Sequence, residues 1–373
     1  MRRVLITGAR APVALDLAHS FAAAGFEPHL ADSLAPCTAR LSAFGRGHLH
    51  RYAAPRHNVA AFSAGLARLV AALEVELVIP VCEEVFYAAA ASPGCRVFAP
   101  GLPWLRRLHS KHDFIALVAA CGLAAPRTHR LTSSADVAAW RADARHLVFK
   151  PEFSRFATQT LVRPAPEQLR ALKPSPGTPW VVQEFVSGEE LCLWSAAIAG
   201  EVVAFAAYRP RWRLGHAASY YFEPVAAPEA RRFCQTIAAA GGLTGQLAFD
   251  VIRTADGGIV PLECNPRGTS GIHLFRRSPD LARALMGEGQ AGPRGGPVCL
   301  GAAMALLGLP QALRAGQTRR FLQDWRRADE ALPVTSERLG AVLDAARFAL
   351  TGLRHGRSAT AQSTADIEWD GGG

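Results

Sequence analysis

Lysine is almost missing from this sequence. Lys111, Lys150 and Lys173 are the three lysines among 41 basic residues, and every other positive side chain is arginine. Surface charge is thus carried by arginine, so a lysine is an exception whose compact ammonium needs an account. The net charge of +10 is scattered, apart from short clusters such as Arg209/Arg211/Arg213 and Arg319/Arg320. No basic stripe is interleaved with aromatics, which argues against nucleic acid as a partner. The positive field still favours anionic small molecules. The C-x-x-C spacing is absent as well. The 8 cysteines stand singly, mostly in apolar runs, which predicts free thiols of a reducing, cytoplasmic compartment and neither disulfides nor a cysteine zinc site. No apolar run reaches the length of a membrane span. Met1-Arg2-Arg3 precedes too few apolar residues for a signal-peptide core, so no membrane partner is expected. Charged residues make up only 19% against 50% hydrophobic, which excludes long disordered regions and leaves material for two or three domains.

What is present is organised around residues 248–267. Apolar runs flank Asp256-Gly257, a strong hairpin signal. Counting outward from that turn sets Asp250 opposite Glu263, and Asn265, two residues on, shares the face of Glu263. Opposed Cβ atoms lie roughly 4.5–5.5 Å apart, and like charges there destabilise a sheet. A hard divalent cation such as Mg²⁺, which takes oxygen ligands, would give the pair a reason. The alternative is a solvent-facing hairpin with two acidic residues and no ligand.

Along the chain, Val4–Thr7 reads as a buried strand, residues 8–12 as a turn, 13–24 as a helix, and Glu27–Ala31 as a second strand ending at Asp32. This is a Rossmann-like opening. Its turn, Gly8-Ala9-Arg10-Ala11-Pro12, is not G-x-G-x-x-G. Asp32 nevertheless sits at the distance of a ribose contact, so a nicotinamide-dependent reductase stays a weak rival. Residues 59–73 read as a helix, 77–81 as a strand ending in Cys82-Glu83-Glu84, and 96–99 as a short strand. Ser110 caps a helix with Asp113 at the N3 position, a variant capping box. Residues 146–151 form a strand that carries Lys150, followed by a loop and a return strand at 159–162. Strands are expected at 180–185, 191–198 and 202–207, with a helix at 228–240. Residues 279–353 look helical. The tail after Gly356 either docks as an edge strand or stays mobile.

Five segments in order resemble the ATP-grasp superfamily, most closely its carboxylate–amine or carboxylate–thiol ligases. They are Ser110-Lys111-His112-Asp113-Phe114, Val148-Phe149-Lys150-Pro151, residues 183–190, Asp250, and Glu263-Cys264-Asn265-Pro266-Arg267. The resemblance covers roughly residues 1–300. It implies α/β and α+β architecture, an ATP-grasp fold with a Rossmann-like N-terminal (pre-ATP-grasp) domain over 1–102. A small lobe would span 103–180, a large lobe 181–300, and a helical C-terminal segment and tail 301–373. The implied activity is ATP-dependent ligation. A small-molecule carboxylate is activated as an acyl phosphate and captured by an amine or thiol, releasing ADP and phosphate. An ATP-grasp kinase or a nucleotide-binding pseudoenzyme are the alternatives, and a homodimer is left open.

The resemblance also distributes roles. Asp250, Glu263 and Asn265 would hold Mg²⁺, with Mn²⁺ as a substitute. Arg267 and Lys150 would be catalytic. Lys111 and Lys150 would meet the ATP phosphates, while Glu184, Phe185 and Val186 would line the adenine pocket. Glu190 would accept the ribose hydroxyls, and Leu262 would pack beneath the base or belong to the core. Substrate would lie near His273 and near Arg209, Arg211 and Arg213, which alternate on one strand face; an edge strand defended by charge explains those arginines equally well. Tyr220-Tyr221-Phe222 would line an aromatic pocket or be core. Two departures stand out. The loop after Lys150, residues 152–158, has no glycine, so Ser154 or Arg155 would have to take over phosphate contacts. Trp194 stands where related sequences carry an acidic or small residue.

Overall fold

Three sheets follow one another in the computed structural model, which describes residues 1–154, 159–213 and 219–371. The first holds β1 (Arg3–Thr7), β2 (Glu27–Asp32), β3 (Leu49–Arg51), β4 (Leu77–Pro80) and β5 (Arg96–Val97). Their order is β3-β2-β1-β4-β5, and every pairing is parallel. Val4, Leu5, Ile6, Val78 and Ile79 are fully buried, because a parallel sheet is covered on both faces and its strands read as continuous apolar runs. The helix Pro12–Ala23 begins with Pro12, whose missing N–H costs nothing in a first turn. The turn ahead of it needs Gly8: its φ is +72°, and a Cβ there would come within 2.8 Å of the Glu84 carboxylate.

The second sheet contains β6 (Thr128–Leu131), β7 (Leu147–Pro151), β8 (Leu161–Val162) and β9 (Trp180–Glu184), antiparallel in the order β6-β9-β7-β8. The third has seven strands: β10 (Glu189–Ile198), β11 (Glu201–Arg213), β12 (Ser219–Pro224), β13 (Gly245–Arg253), β14 (Ile259–Asn265), β15 (Val298–Cys299) and β16 (Asp329–Glu330), ordered β14-β13-β10-β11-β12-β15-β16. One apolar core runs from the first sheet into the third, joining Val4, Ile6 and Phe21 to Trp194, Phe275 and Leu281. Trp194 thereby gains an account. It is fully buried, donates to Gln246 Oε1 at 3.3 Å, and Gln246 in turn donates to the Pro80 carbonyl at 2.7 Å. The indole is part of the joint between the two sheets.

Helices at Val59–Leu73 and Pro228–Ala240 lie where apolar periodicity puts them. Two expectations are corrected. Residues 279–353 are not uniformly helical, since β15 and β16 add two-residue strands to the large sheet. Strands this short have no period to read. The tail is neither an edge strand nor free. Ile367 and Trp369 are buried, Trp369 stacks on Phe86 with centroids 4.4 Å apart, and Tyr87 donates to the Glu368 carbonyl at 2.8 Å. Tyr220, Tyr221 and Phe222 are all buried core residues.

Candidate functional site

The hairpin β13–β14 pairs Asp250 with Glu263 and Ala248 with Asn265. The connection is longer than a two-residue turn: Arg253 pairs with Ile259, and Thr254 N–H donates to the Gly258 carbonyl at 2.9 Å. A β-bulge then shifts the register between Asp250 and Val251, so that Leu262 has no partner across the ladder. The longer loop and the bulge offset each other, which is why counting from Asp256-Gly257 reaches the right carboxylate pair. The bulge has a further effect. It turns the Leu262 carbonyl to Lys150, whose Nζ donates to it at 3.0 Å.

The electrostatics of the pair are those of two acids sharing one proton. Burial, reinforced by Glu263, pushes Asp250 up to about 7. Burial works on Glu263 as well, but Lys111 and Lys150 overcome it and hold that carboxyl below its usual range. Lys111 Nζ lies 3.6 Å from Glu263 Oε2. Burial, with Lys111 adding to it against the pull of Glu263, brings Lys150 down to about 8.

Local sequence fixes both lysines. Lys111 opens the helix Lys111–Ala120, capped by Ser110, whose hydroxyl accepts the Asp113 N–H at 3.0 Å. The carboxylate of Asp113 serves Arg130 at 3.0 Å, and a reciprocal capping box forms instead at Ser133 and Asp136. Lys150 sits on β7, and the next acidic residue, Glu152, ties the two elements together. Its buried carboxylate accepts from Ser110 and, at 2.6 and 2.7 Å, from Arg130. Lys111 Nζ also donates to the Ser154 carbonyl at 3.1 Å and to Ser154 Oγ at 3.3 Å.

The carboxylate pair and Lys150 line a cavity of about 630 Å³. Asp250, Glu263, Asn265, Leu262, Lys150 and Arg267 face it, as do Glu184, Phe185, Val186, Glu190, Arg213 and His273. Among the polar wall residues, the backbone N–H of Glu184 donates to Arg127 O at 2.9 Å and that of Phe185 to His146 O at 3.0 Å. Glu190 and Arg213 form a two-point pair at 2.6 and 2.5 Å. Arg267 donates to Asn265 Oδ1 at 3.3 Å and approaches Glu83 at 3.9 Å. His273 is buried, bonded through Nδ1 to Asp16, and stacked against Phe222 at 5.4 Å.

The arginine trio does not act as one face. Arg213 reaches the cavity, whereas Arg209 pairs with Glu189 and Glu223, and Arg211 with Glu223 at 3.1 Å and Asp324 at 3.6 Å. The alternation breaks at Trp212, whose φ is +49°. Nor is β11 an edge strand, because β10 and β12 flank it. Lys111 borders the carboxylates through Glu263 without lining the cavity wall. Arg155 lies outside the described residues, as do residues 156–158 of the glycine-free loop. Asp32 is fully buried and spent on Arg10 and the Leu34 N–H, which removes the local argument for a dinucleotide ribose.

Several cavity residues escape sequence reasoning: Glu83, Tyr208, Phe348, Ser363 and Thr364. Glu83 had a signal, since ligands of parallel sheets gather beyond the carboxyl ends of the strands. The last three had none. They arrive from the C-terminal segment through tertiary docking alone.

In architecture the chain has the ATP-grasp fold, with its cavity lined by residues of the second and third sheets and by residues that follow β1 and β4 of the first. Among solved structures it is similar to N5-carboxyaminoimidazole synthetase from Staphylococcus aureus (TM-score 0.62, 11% identity, 84% of this chain and 86% of that one). It is also similar to N5-carboxyaminoimidazole synthase from Aspergillus clavatus in complex with ADP and 5-aminoimidazole ribonucleotide (TM-score 0.60, 14% identity, 79% and 80%). A third is phosphoribosylamine–glycine ligase from Thermotoga maritima (TM-score 0.59, 15% identity, 79% and 78%). No protein-family profile and no curated sequence matches the chain.

Proposed function

We propose that the protein is an ATP-dependent ligase that activates a small-molecule carboxylate as an acyl phosphate for capture by an amine or thiol. The observation that carries this reading is the opposed pair Asp250–Glu263, which lines one cavity with Lys150 and Arg267 and has Lys111 behind Glu263. Two carboxylates and the Asn265 amide oxygen form a hard-oxygen donor set, and a pair that holds a proton near neutrality is one a divalent cation relieves. The donors fit Mg²⁺. Once bound there, the ion would neutralise charge on the β- and γ-phosphates.

The chain's own residues supply the remainder. Lys150, anchored on Leu262 O, presents a compact cation to phosphate oxygens. Lys111 balances Glu263. Arg267, poised at the end of β14, offers a planar guanidinium to the transferred phosphoryl group or to the substrate carboxylate. Glu184 to Val186 form the wall against which a base can stack, and Leu262 shares it. The Glu190–Arg213 pair would open, or present its outer edge, to ribose hydroxyls. Two of the similar structures support the reading: one is described as a ligase, phosphoribosylamine–glycine ligase, and another holds ADP.

The test is ADP release measured across a panel of carboxylates with amines and thiols. Turnover with at least one pair is expected, and its loss in Glu263→Gln with an unchanged circular dichroism spectrum. Mg-ATP binding without turnover on any pair would favour the nucleotide-binding pseudoenzyme, and NADH binding without ATP binding would overturn the proposal.

A further inference from the structure

A second cluster of ligating side chains lies far from the cavity's chemistry, on the edge of the N-terminal sheet. β2 begins Glu27-Pro28-His29, and the residues entering β3 are His48-Leu49-His50. Leu30 pairs with Leu49 and Ala31 with His50 in a parallel register. Alternation therefore puts Glu27, His29, His48 and His50 on one face of two adjacent strands. We propose that Glu27, His29 and His48 form a binding site for a divalent transition-metal ion of the Zn²⁺ class, separate from the Asp250–Glu263 site.

The geometry is close to that of a three-ligand site. One ligating atom from each of the three residues lies within 4.8 Å of the others. Glu27 Oε1 and His29 Nε2 are already 3.5 Å apart, near the roughly 3.3 Å that separates ligands around a tetrahedral Zn²⁺. His48 has to close by up to about 1.5 Å, and it sits in a turn ahead of β3 rather than inside a strand. A second, independent observation points to a ligand. His29 is only 5% exposed, yet its Nε2 has no hydrogen-bond partner, and the same holds for the buried Nδ1 of His48. Buried imidazole nitrogens are normally satisfied.

The surrounding contacts are those that orient metal ligands. His29 Nδ1 lies 3.1 Å from His50 Nε2, which orients the ring; in the tautomer in which His29 Nδ1 donates across this contact, Nε2 is the lone-pair atom. Arg3 donates to Glu27 Oε2 at 2.9 Å and leaves Oε1 turned to His29. Imidazole with one carboxylate suits Zn²⁺ better than Mg²⁺ or Ca²⁺, which prefer all-oxygen shells. The ion would fasten the three-residue edge strand β3, and the turn before it, to β2.

The experiment uses the full, untagged chain, stripped with chelator and titrated with Zn²⁺ against a chromophoric competitor, and with Co²⁺ for its absorption bands. One Zn²⁺ per chain is expected at micromolar or tighter affinity, with a rise in melting temperature on binding. Affinity should fall at least tenfold in Glu27→Gln and in His48→Gln, a half-buried position where folding is retained, and stay unchanged in Glu263→Gln. The Co²⁺ form should show intense tetrahedral bands that His48→Gln abolishes. Absence of stoichiometric Zn²⁺ binding in the wild-type chain would overturn the proposal. Undiminished affinity in a folded His48→Gln chain would do the same, because the ion would then sit elsewhere.

Discussion

At the scale of single residues, the site is a balance of buried charges, and its pH dependence follows. Asp250 and Glu263 together keep a proton until the pH passes about 7, because burial and their mutual repulsion raise Asp250. A cation must displace that proton. Mg²⁺ affinity is therefore expected to rise about tenfold per pH unit up to pH 7 and to level off above it. Calorimetry at pH 6 in two buffers of different ionisation enthalpy should report close to one proton released; none released would mean the pair is fully ionised. Lys150 gives a second prediction. It is buried and anchored on the bulge carbonyl of Leu262, a slot shaped for one ammonium. Lys150→Arg should lower ATP affinity about tenfold or more despite keeping the charge, and Lys150→Met should do no worse than that by a large factor. The residue scale is also where sequence reading divides most sharply. The carboxylate pair was legible because strand alternation is local. The partners of Arg209 and Arg211 were not, since Glu189, Glu223 and Asp324 come from other elements.

At the scale of elements, the helix Thr335–Arg354 shows how a segment with a weak apolar stripe is held. Its attachments are polar and buried. Asp344 accepts from Cys37 N at 2.8 Å, Thr38 N at 2.8 Å and Thr38 Oγ1 at 2.7 Å. Glu337 is fully buried between Arg277 at 2.7 Å and His19 at 2.8 Å. Gly340 lies flat against residues 37–38, where a Cβ would meet Thr38 Cα at 2.5 Å. Removing one partner of a buried ion pair costs about 3 kcal/mol or more, so Glu337→Ala is expected to loosen this helix. Limited proteolysis should then cut within residues 335–354 at protease levels that spare the wild-type chain, and an unchanged pattern would refute the anchoring. Acid should act in the same direction. Burial alone would raise Glu337, but His19 and Arg277 hold it below its usual range. The stability this pairing contributes is present above the unfolded carboxyl range and is lost as pH falls through the lowered folded value. Sequence reading put this helix inside the helical stretch 279–353 without marking its docking side, which is built from Asp, Glu and Gly rather than from leucines.

At the scale of the whole molecule, the two ends of the chain close on each other beside the candidate site. Arg10, in the first turn, pairs with Asp366 at 2.5 Å as well as with Asp32, and Ser33 Oγ donates to Asp366 at 2.5 Å. Trp369 fills the space over Phe86 and against His109 and Phe153. Phe348, Ser363 and Thr364 are part of the cavity wall together with residues 11–13, and the Ser363 carbonyl accepts from Arg10 at 2.8 Å. None of this could be read beforehand, because a tail of small and polar residues has no period and these partners are more than 200 positions away. The fold's three sheets, in contrast, followed from local patterns in Val4–Thr7, 146–151 and 248–265. The docked tail makes a discriminating prediction. Trp369→Ala deletes a buried indole and should cost about 3–5 kcal/mol, read as a lower melting temperature. If the tail only stabilises, substrate KM should stay constant while the melting temperature falls. If it shapes the acceptor end of the cavity, Thr364→Trp should raise the carboxylate or amine KM while leaving the ATP KM unchanged, since the groups proposed for the nucleotide lie on β7, β9, β10, β13 and β14 and between β9 and β10. Equal changes in both constants would mean that the tail governs closure of the whole cavity rather than one end of it.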